Sequence, residues 1–466
     1  MSAHAPNLLT CPEELLAEIF SYGVAGPTDY QDAEIMRPNT SRISAPFHVA
    51  AVCQRWRSIA LSYARLWHYI AFPMLSADVD GTSRLPLEHS ILYAQLMLER
   101  SGDAPIDIII RFIDGHANEG ETFEPLLSKL VKHRPRWRRF AVGLYGAQVA
   151  ARVLDLFTSI ELPTLRTLQI SVQDSRFERT YEISPHEAVG ITVPAVPFLQ
   201  YTPRLVNVAA INLPELWRRW QPAHSQHKVA VLEVLQEELP DELWDMLVVQ
   251  VELEWIMLGA GTFNAQRFPR PPIEPIDLPK MEILWLQREA SKIFETYPQL
   301  LRMPKLVEIV LDRVNFPPLA RWFEALRPQL TALDLRNPPE FTYNDVAAMR
   351  ILNKLETLQL SGTERMSTSL LECLCERGGD DASAEDAPVM WPRLTGLKLF
   401  GIHFDEVGAK LFGELVQMRC QPAPVDPKGM PQWAKLEFRL ARSTEHGLEL
   451  AQLEEIERLG SSVDLV

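Results

Sequence analysis

Apolar residues recur along this chain with one spacing: an apolar residue, two others, an apolar residue, one other, and a third apolar residue. Eleven segments follow this spacing, and seven of the ten gaps between their first positions are 24 to 28 residues. The other three gaps are 39 or 40 residues. One such segment is common by chance, so the recurrence predicts repeated structural units. The first apolar positions are 137, 165, 205, 229, 253, 281, 306, 330, 355, 394 and 433.

A period in this range is typical of leucine-rich repeats, in which each unit supplies one strand and one return segment. Proline stands two residues before most of the first apolar positions, where it ends a helix and favours an extended entry to the strand. Helical return segments are predicted at 291–300, 318–327, 344–353 and 405–418. The predicted fold is therefore an α/β solenoid with parallel strands on its concave face and helices on its convex face. The prolines are Pro135, Pro163, Pro203, Pro279, Pro304, Pro328, Pro392 and Pro431.

The residues before the repeats have helical spacing instead. Residues 12–22 are predicted to form a helix that starts at Pro12, with one apolar stripe made of Leu15, Leu16, Ile19 and Phe20. A loop is expected at 23–44, because glycine and proline interrupt the pattern there. Helical spacing resumes at 46–62 and 87–99 on either side of a hinge at 73–84. A β-branched run at 106–110 predicts a strand.

Composition narrows the class of protein. A net charge of −15 argues against a nucleic-acid-binding protein. The five cysteines include no CxxC pair, which indicates a reducing compartment and no disulfide framework. Neither a secretory signal nor an apolar run of roughly 20 residues occurs, so no membrane association is expected, and a cytoplasmic or nuclear location is predicted. Catalytic signatures are absent, which predicts a protein that is not an enzyme and needs no cofactor or metal.

Three N-terminal blocks carry a family resemblance. They are Cys-Pro-Glu-Glu-Leu-Leu-Ala-Glu-Ile-Phe at 11–20, Val-Cys-Gln-Arg-Trp-Arg-Ser-Ile-Ala at 52–60, and Ala-Arg-Leu-Trp at 64–67. In this order they resemble the F-box domain in the form common among fungal F-box proteins. Cys11 stands where leucine is usual, and the loop at 23–44 is longer than in most members. An F-box followed by leucine-rich repeats would account for the whole chain.

The resemblance implies that the box binds the Skp adaptor and, through it, the cullin of an SCF ubiquitin ligase. Trp56 and Trp67 are expected to be the main anchors, because large aromatic side chains concentrate interface energy. The alternative is that the helices only cap the end of the solenoid, which is a structural need of repeat proteins. The residues that match the motif, and that would form or support the interface, are Pro12, Leu15, Leu16, Ile19, Val52, Cys53, Trp56, Leu66 and Trp67.

The strand pattern also predicts where a target protein binds. Side chains alternate faces along a strand, so the residues between the core leucines line the concave face. Trp255 and Trp285 are expected at equivalent positions in adjacent repeats, side by side, as a recognition patch. The alternative is that the insertions or the terminal segment cover this patch. The predicted target-binding residues are Trp255, Met257, Trp285, Gln287, Arg336, Lys398 and Phe400.

The sequence thus predicts an F-box at 1–72, a linker and connecting helix at 73–100, and a solenoid at 101–466 with insertions at 172–190 and 377–388. The leading hypothesis for function is a substrate-recognition subunit of an SCF ligase. The alternative is a non-catalytic scaffold whose box no longer engages the adaptor.

Overall fold

A computed structural model shows the fold of the chain. The chain divides into two compact units, residues 1–236 and 237–466. The boundary between them lies inside the segment that the sequence predicts as one solenoid. The structure describes residues 11–24, 39–72, 87–113, 119–145, 147–158, 161–173, 199, 201–213, 216–217, 228–236, 238–240, 242–262, 274–326, 329–338, 341–362, 367–375, 390–400, 402–420 and 437–440.

The first unit begins with helices and continues as parallel strands joined by helical or irregular segments. Short 3-10 turns occur at Ala64–Trp67 and Arg134–Arg136. Its helices and strands are α1 (Glu13–Tyr22), α2 (Thr40–Val52), α3 (Gln54–Ser62), β1 (Tyr69–Phe72), α4 (Leu87–Arg100), β2 (Ile106–Ile113), α5 (Glu119–Val131), β3 (Trp137–Tyr145), α6 (Ala147–Asp155), β4 (Thr167–Gln173), β5 (Asn207–Ile211) and β6 (Val231–Gln236).

The second unit repeats strand and return segment more regularly. Its 3-10 turns are Glu289–Ser291 and Pro317–Leu319. Its elements are α7 (Leu243–Val249), β7 (Trp255–Ala260), β8 (Ile276–Asp277), β9 (Ile283–Arg288), α8 (Lys292–Thr296), β10 (Leu301–Arg302), β11 (Glu308–Asp312), α9 (Ala320–Leu326), β12 (Ala332–Arg336), α10 (Tyr343–Met349), β13 (Thr357–Ser361), α11 (Thr368–Cys375), β14 (Gly396–Phe400), α12 (Glu406–Cys420) and β15 (Glu437–Leu440).

Strand pairing within each unit is parallel and follows chain order. In the first unit β1 to β6 pair consecutively. In the second unit the order is β7, β9, β11, β12, β13, β14 and β15, while β8 and β10 form a separate parallel pair. All eleven predicted apolar segments overlap with strands, so the leucine-rich-repeat arrangement is confirmed. The core leucines and isoleucines of β7, β9 and β11 to β14 are at most 2% exposed.

Many of the repeats share a tight turn before the strand. The backbone N–H of Leu306 donates to Met303 O at 3.1 Å, and that of Leu394 donates to Trp391 O at 3.0 Å. Pro304 and Pro392 therefore occupy the second position of their turns, which the fixed φ of proline favours. Leu165, Leu205 and Met281 close equivalent turns over Pro163, Pro203 and Pro279, and the backbone N–H of Trp137 donates to Arg134 O across Pro135 in the same way.

A second recurring position follows the strands, where the backbone enters the left-handed region. Arg288, Arg313, Asn337 and Gly362 have φ values of 53°, 58°, 43° and 71°. They occupy the same place in four successive repeats, 24 or 25 residues apart. Glycine and asparagine adopt this conformation readily, whereas at Arg288 and Arg313 it goes against the preference of the side chain.

The N-terminal helices differ from expectation in two places. α2 begins at Thr40, inside the predicted loop, because the Asn39 side chain accepts a hydrogen bond from Arg42 N at 3.1 Å and caps the helix. The helix predicted at 46–62 is two helices, because Cys53 is extended and its Sγ caps α3 by accepting from Trp56 N at 3.4 Å. The remaining loop residues 25–38 lie outside the described residues.

Two further predicted elements are present, and other predicted segments lie outside the described residues. The strand at 106–110 and the helix at 87–99 are present as β2 and α4. β1 was not predicted, yet it pairs with β2 through Tyr69 and Asp107. The hinge at 73–84, the insertion at 377–388 and all of the insertion at 172–190 after residue 173 lie outside the described residues.

Candidate interaction surfaces

Helix α1 buries one face and exposes an apolar one. Leu16 and Phe20 point into the core, whereas Leu15, Ile19 and Tyr22 are 56%, 52% and 73% exposed. The exposed residues are spaced i, i+4 and i+7, so they form a single line along the helix. We call Leu15, Ile19 and Tyr22 the α1 stripe. Solvent-exposed apolar rows of this length mark interaction surfaces more often than isolated exposed leucines do.

Residues at the start of α3 contact the start of α1. The Arg55 guanidinium donates to Cys11 O at 2.5 Å and lies 4.0 Å from the Glu13 carboxylate. Further along, the rings of Phe20 and Trp56 pack with centroids 4.7 Å apart. These contacts place the junction between α2 and α3, where Val52 is exposed, beside the first turn of α1.

The structure separates the predicted adaptor-binding residues into two groups. Pro12, Leu15, Ile19 and Val52 are exposed, while Cys53 and Trp56 are half-buried. Three others are fully buried, so of the two predicted roles, forming or supporting the interface, only support is open to them: Leu16, Leu66 and Trp67.

Trp67 is buried because it belongs to the core. Its indole Nε1 donates to Ala60 O at 2.7 Å, Phe47 packs edge-on at 5.4 Å, and the Arg100 guanidinium lies 4.3 Å from its ring centroid. Trp67 therefore supports the helices and is not an anchor for a partner. Tyr22 was missed as a surface residue, although its spacing from Leu15 and Ile19 could have indicated it.

A buried polar cluster joins this helical region to the strands of the first unit. Asp107 on β2 accepts two hydrogen bonds from the Arg138 guanidinium, at 2.8 and 2.5 Å. His68 Nε2, just before β1, lies 3.7 Å from Asp107 Oδ2. Burial would raise the pKa of Asp107, but Arg138 outweighs it, and the pKa lies below its ordinary value. Burial lowers the pKa of His68.

In the second unit, the face of the strands opposite the leucine core carries three rows of side chains, which we call the open face. Strand register places Trp255, Ile283 and Glu308 in the first row. The second row runs from Met257 through Trp285, Val310, Asp334 and Gln359 to Lys398, and the third contains Gln287, Asp312, Arg336, Ser361 and Phe400.

Two tryptophans and one arginine pack together on this face. The rings of Trp255 and Trp285 meet edge to face, with centroids 6.3 Å apart and an interplanar angle of 83°. The Arg336 guanidinium lies 4.2 Å from the Trp285 centroid and donates through Nε to Asp334 Oδ2 at 2.9 Å. We call Trp255, Trp285 and Arg336 the tryptophan platform.

The platform corrects one detail of the prediction. Trp255 and Trp285 are neighbours, but they are not equivalent positions, because the register pairs Trp255 with Ile283 and Met257 with Trp285. The two indoles therefore meet on a diagonal between adjacent rows. Met257 is only 6% exposed beside the bulky Trp285, so it is not an accessible contact residue. Gln287, Lys398 and Phe400 are half-buried on the open face, as are Trp255, Trp285 and Arg336.

Acidic groups lie next to the platform. Burial raises the pKa of Glu308, and the nearby Asp334 raises it further. Burial also raises the pKa of Asp334, despite its hydrogen bonds from Arg336 and from Gln359 Nε2 at 3.1 Å. The carboxylate of Asp312 accepts hydrogen bonds at both oxygens, from Gln287 Nε2 at 2.7 Å and from Asn337 Nδ2 at 3.0 Å.

The described residues contain neither a membrane-spanning helix nor a cluster of metal-binding side chains. No helix there is both long and apolar enough to cross a bilayer. No group of three or more histidine, cysteine, aspartate or glutamate side chains is arranged there to hold a metal ion.

Comparison with known proteins adds little to this geometry. No family model matches the chain, and no curated protein matches it. Among solved structures, an internalin from Listeria monocytogenes is similar at 10% sequence identity and a TM-score of 0.28, covering 72% of this chain and 82% of the internalin chain. A TM-score this low does not establish a common fold. The repeat architecture rests on the strand register within each unit, and the F-box resemblance rests on the sequence blocks alone.

Proposed function

We propose that this chain is a non-catalytic substrate-recognition subunit of an SCF ubiquitin ligase. In this proposal the exposed face of α1 and the α2–α3 junction bind the Skp adaptor, which connects the chain to the cullin. The open face of the second unit binds a target protein. Such a role requires neither a cofactor nor nucleic acid nor a membrane, and it places the protein in the cytoplasm or nucleus.

The α1 stripe is the observation that carries the proposal. Burying an apolar side chain of this size contributes about 1.5–3 kcal/mol when the side chain is otherwise fully exposed. Because the three residues are half to three-quarters exposed, covering them would contribute roughly 3–5 kcal/mol before association costs. A partner helix lying along α1 could bury all three together.

A role as a solenoid cap alone does not explain the exposed apolar residues of α1. The inward face of α1, with Leu16, Ala17 and Phe20, and the buried Trp67 would suffice to close the end of the first unit. A cap has its polar face outward, because only polar residues favour contact with water. The exposed Leu15, Ile19 and Tyr22 do not fit the role of a cap. They fit a surface that binds another protein.

Adaptor binding can be tested with two surface substitutions on α1. The double variant Leu15→Asp/Ile19→Asp should lower affinity for a purified Skp adaptor by at least about 100-fold, because two buried charges would replace two apolar contacts. Leu92→Asp is the matched control, since Leu92 is 62% exposed on α4 of the same unit. Both variants should keep the wild-type circular dichroism spectrum and melting temperature.

Isothermal titration gives the decisive comparison. Binding by wild type and Leu92→Asp together with loss in the double variant supports adaptor docking on α1. Equal affinity of all three proteins would refute it. No binding by any of them would favour the scaffold alternative.

A further inference from the structure

In the first row of the open face, Ile283 stands between the larger side chains of Trp255 and Glu308 beside the tryptophan platform, and we call this site the recess. Trp255 and Glu308 stand on either side of Ile283, two strand spacings or about 10 Å apart. Ile283 is half-buried and forms an apolar floor. Trp285 stands behind the floor in the second row. The recess thus has one carboxylate wall and two indole walls.

The carboxylate wall has no partner among the residues that the structure describes. The Glu308 carboxylate makes no hydrogen bond or ion pair with any of them, although its backbone N–H donates to Glu282 O. Asp334 is 4% exposed, and its Oδ1 accepts no hydrogen bond from them either. A buried acceptor without a donor is costly, and two neighbouring carboxylates repel each other.

The local charges favour a cation over an anion. Arg336 and Lys398 act on both carboxylates, yet the pKa values of Glu308 and Asp334 remain raised. A further negative charge would increase this repulsion, whereas a positive charge would relieve it. The Arg336 guanidinium is already engaged by Asp334 and Trp285, so it is not the most available group for an incoming carboxylate or phosphate.

We infer that the recess of Trp255, Ile283, Trp285 and Glu308 binds a basic side chain, lysine or arginine, of the target protein. The aliphatic stem lies on Ile283, the cationic group faces the indole of Trp255, and Glu308 supplies the opposite charge. This inference rests on the proposed function and specifies which targets it admits: those with a basic residue in an exposed, extended segment.

The test uses the full chain with 5-fluorotryptophan in place of tryptophan. The fluorine signals of Trp255 and Trp285 are assigned from Trp255→Phe and Trp285→Phe variants. Three acetylated five-residue peptides, Gly-Ser-X-Ser-Gly with X as lysine, norleucine or glutamate, are titrated in 0.15 M salt. That salt concentration screens non-specific attraction to an acidic protein. The lysine peptide should shift both signals with affinity about 10-fold above the norleucine peptide.

The variant Glu308→Gln should reduce this lysine preference to about twofold or less. Glu356→Gln, an exposed carboxylate before β13, should leave it unchanged. Equal binding of lysine and norleucine, a preference for glutamate, or an unchanged preference in Glu308→Gln would each overturn the inference. Adaptor titration is independent: a chain that binds Skp but shows no lysine preference refutes only this inference, and the reverse result refutes only the proposed function.

Discussion

Replacing Gly362 with alanine should destabilise the second unit through one identifiable contact. Gly362 follows β13 with φ of 71°, a conformation that costs a residue with a Cβ about 1 kcal/mol. The new Cβ would lie 2.2 Å from Asn337 Oδ1 and 2.9 Å from its Cγ. Asn337 must therefore rotate, and its hydrogen bond to Asp312 would be lost.

The expected cost follows from these two effects. A hydrogen bond to a charged acceptor contributes about 2 kcal/mol, so the total loss should be about 3 kcal/mol. The unit spans residues 237–466, a size for which 1 kcal/mol corresponds to roughly 2–4 °C. The melting temperature of that unit should fall by roughly 6–12 °C.

A double-mutant cycle in urea separates the two effects. Asn337→Gly removes the side chain that the new methyl group at position 362 would meet, and glycine also suits the positive φ at position 337. In that background Gly362→Ala should cost only about 1 kcal/mol, giving a coupling of about 2 kcal/mol. A cost below 1 kcal/mol in the wild-type background, or an equal cost in both backgrounds, would refute the contact.

Three further predictions concern the first unit, each measured by urea unfolding. Trp67→Ala should cost about 3–5 kcal/mol because Trp67 is fully buried, and Trp56→Ala should cost less; the reverse order would contradict the assignment of Trp67 to the core. Arg138 lowers the pKa of Asp107 in the folded protein, so this pair should stabilise the fold fully above about pH 4 and lose its effect as the pH falls through the lowered pKa. Asp107→Asn should flatten the dependence of stability on acid pH, and an unchanged profile would count against this reasoning. Burial lowers the pKa of His68, so stability should fall as pH drops below 6.5, and His68→Gln should remove that part of the loss, whereas identical profiles between pH 7.5 and 5 would exclude the effect.

The repeat fold could be predicted from sequence because burial alone determines its pattern. Each strand must place two or three apolar residues on the core side, as Leu333 and Leu335 do in β12, and the spacing of these residues is local to the segment. The turn with proline in its second position is equally local. Both features recur along the chain, so the assignment of one repeat supports the assignment of the next.

Features that depend on contacts between segments were not predictable in the same way. The break at Cys53 depends on a thiol cap, and the early start of α2 depends on the Asn39 side chain. β1 is short and becomes a strand by pairing with β2. The stacking of Arg336 on Trp285 joins β12 to β9, with β11 between them in the sheet. Sequence spacing places each residue on the open face but does not reveal which side chains reach one another.

Adaptor docking on α1 is the central claim, and hydrogen–deuterium exchange tests it most directly. The full chain is compared with and without a purified Skp adaptor at saturating concentration. The account predicts slowed exchange in peptides covering Glu13–Tyr22 and the α2–α3 junction, with α4 and the strands of the second unit unchanged. Protection confined to other segments, or none at α1 despite complex formation, would contradict it.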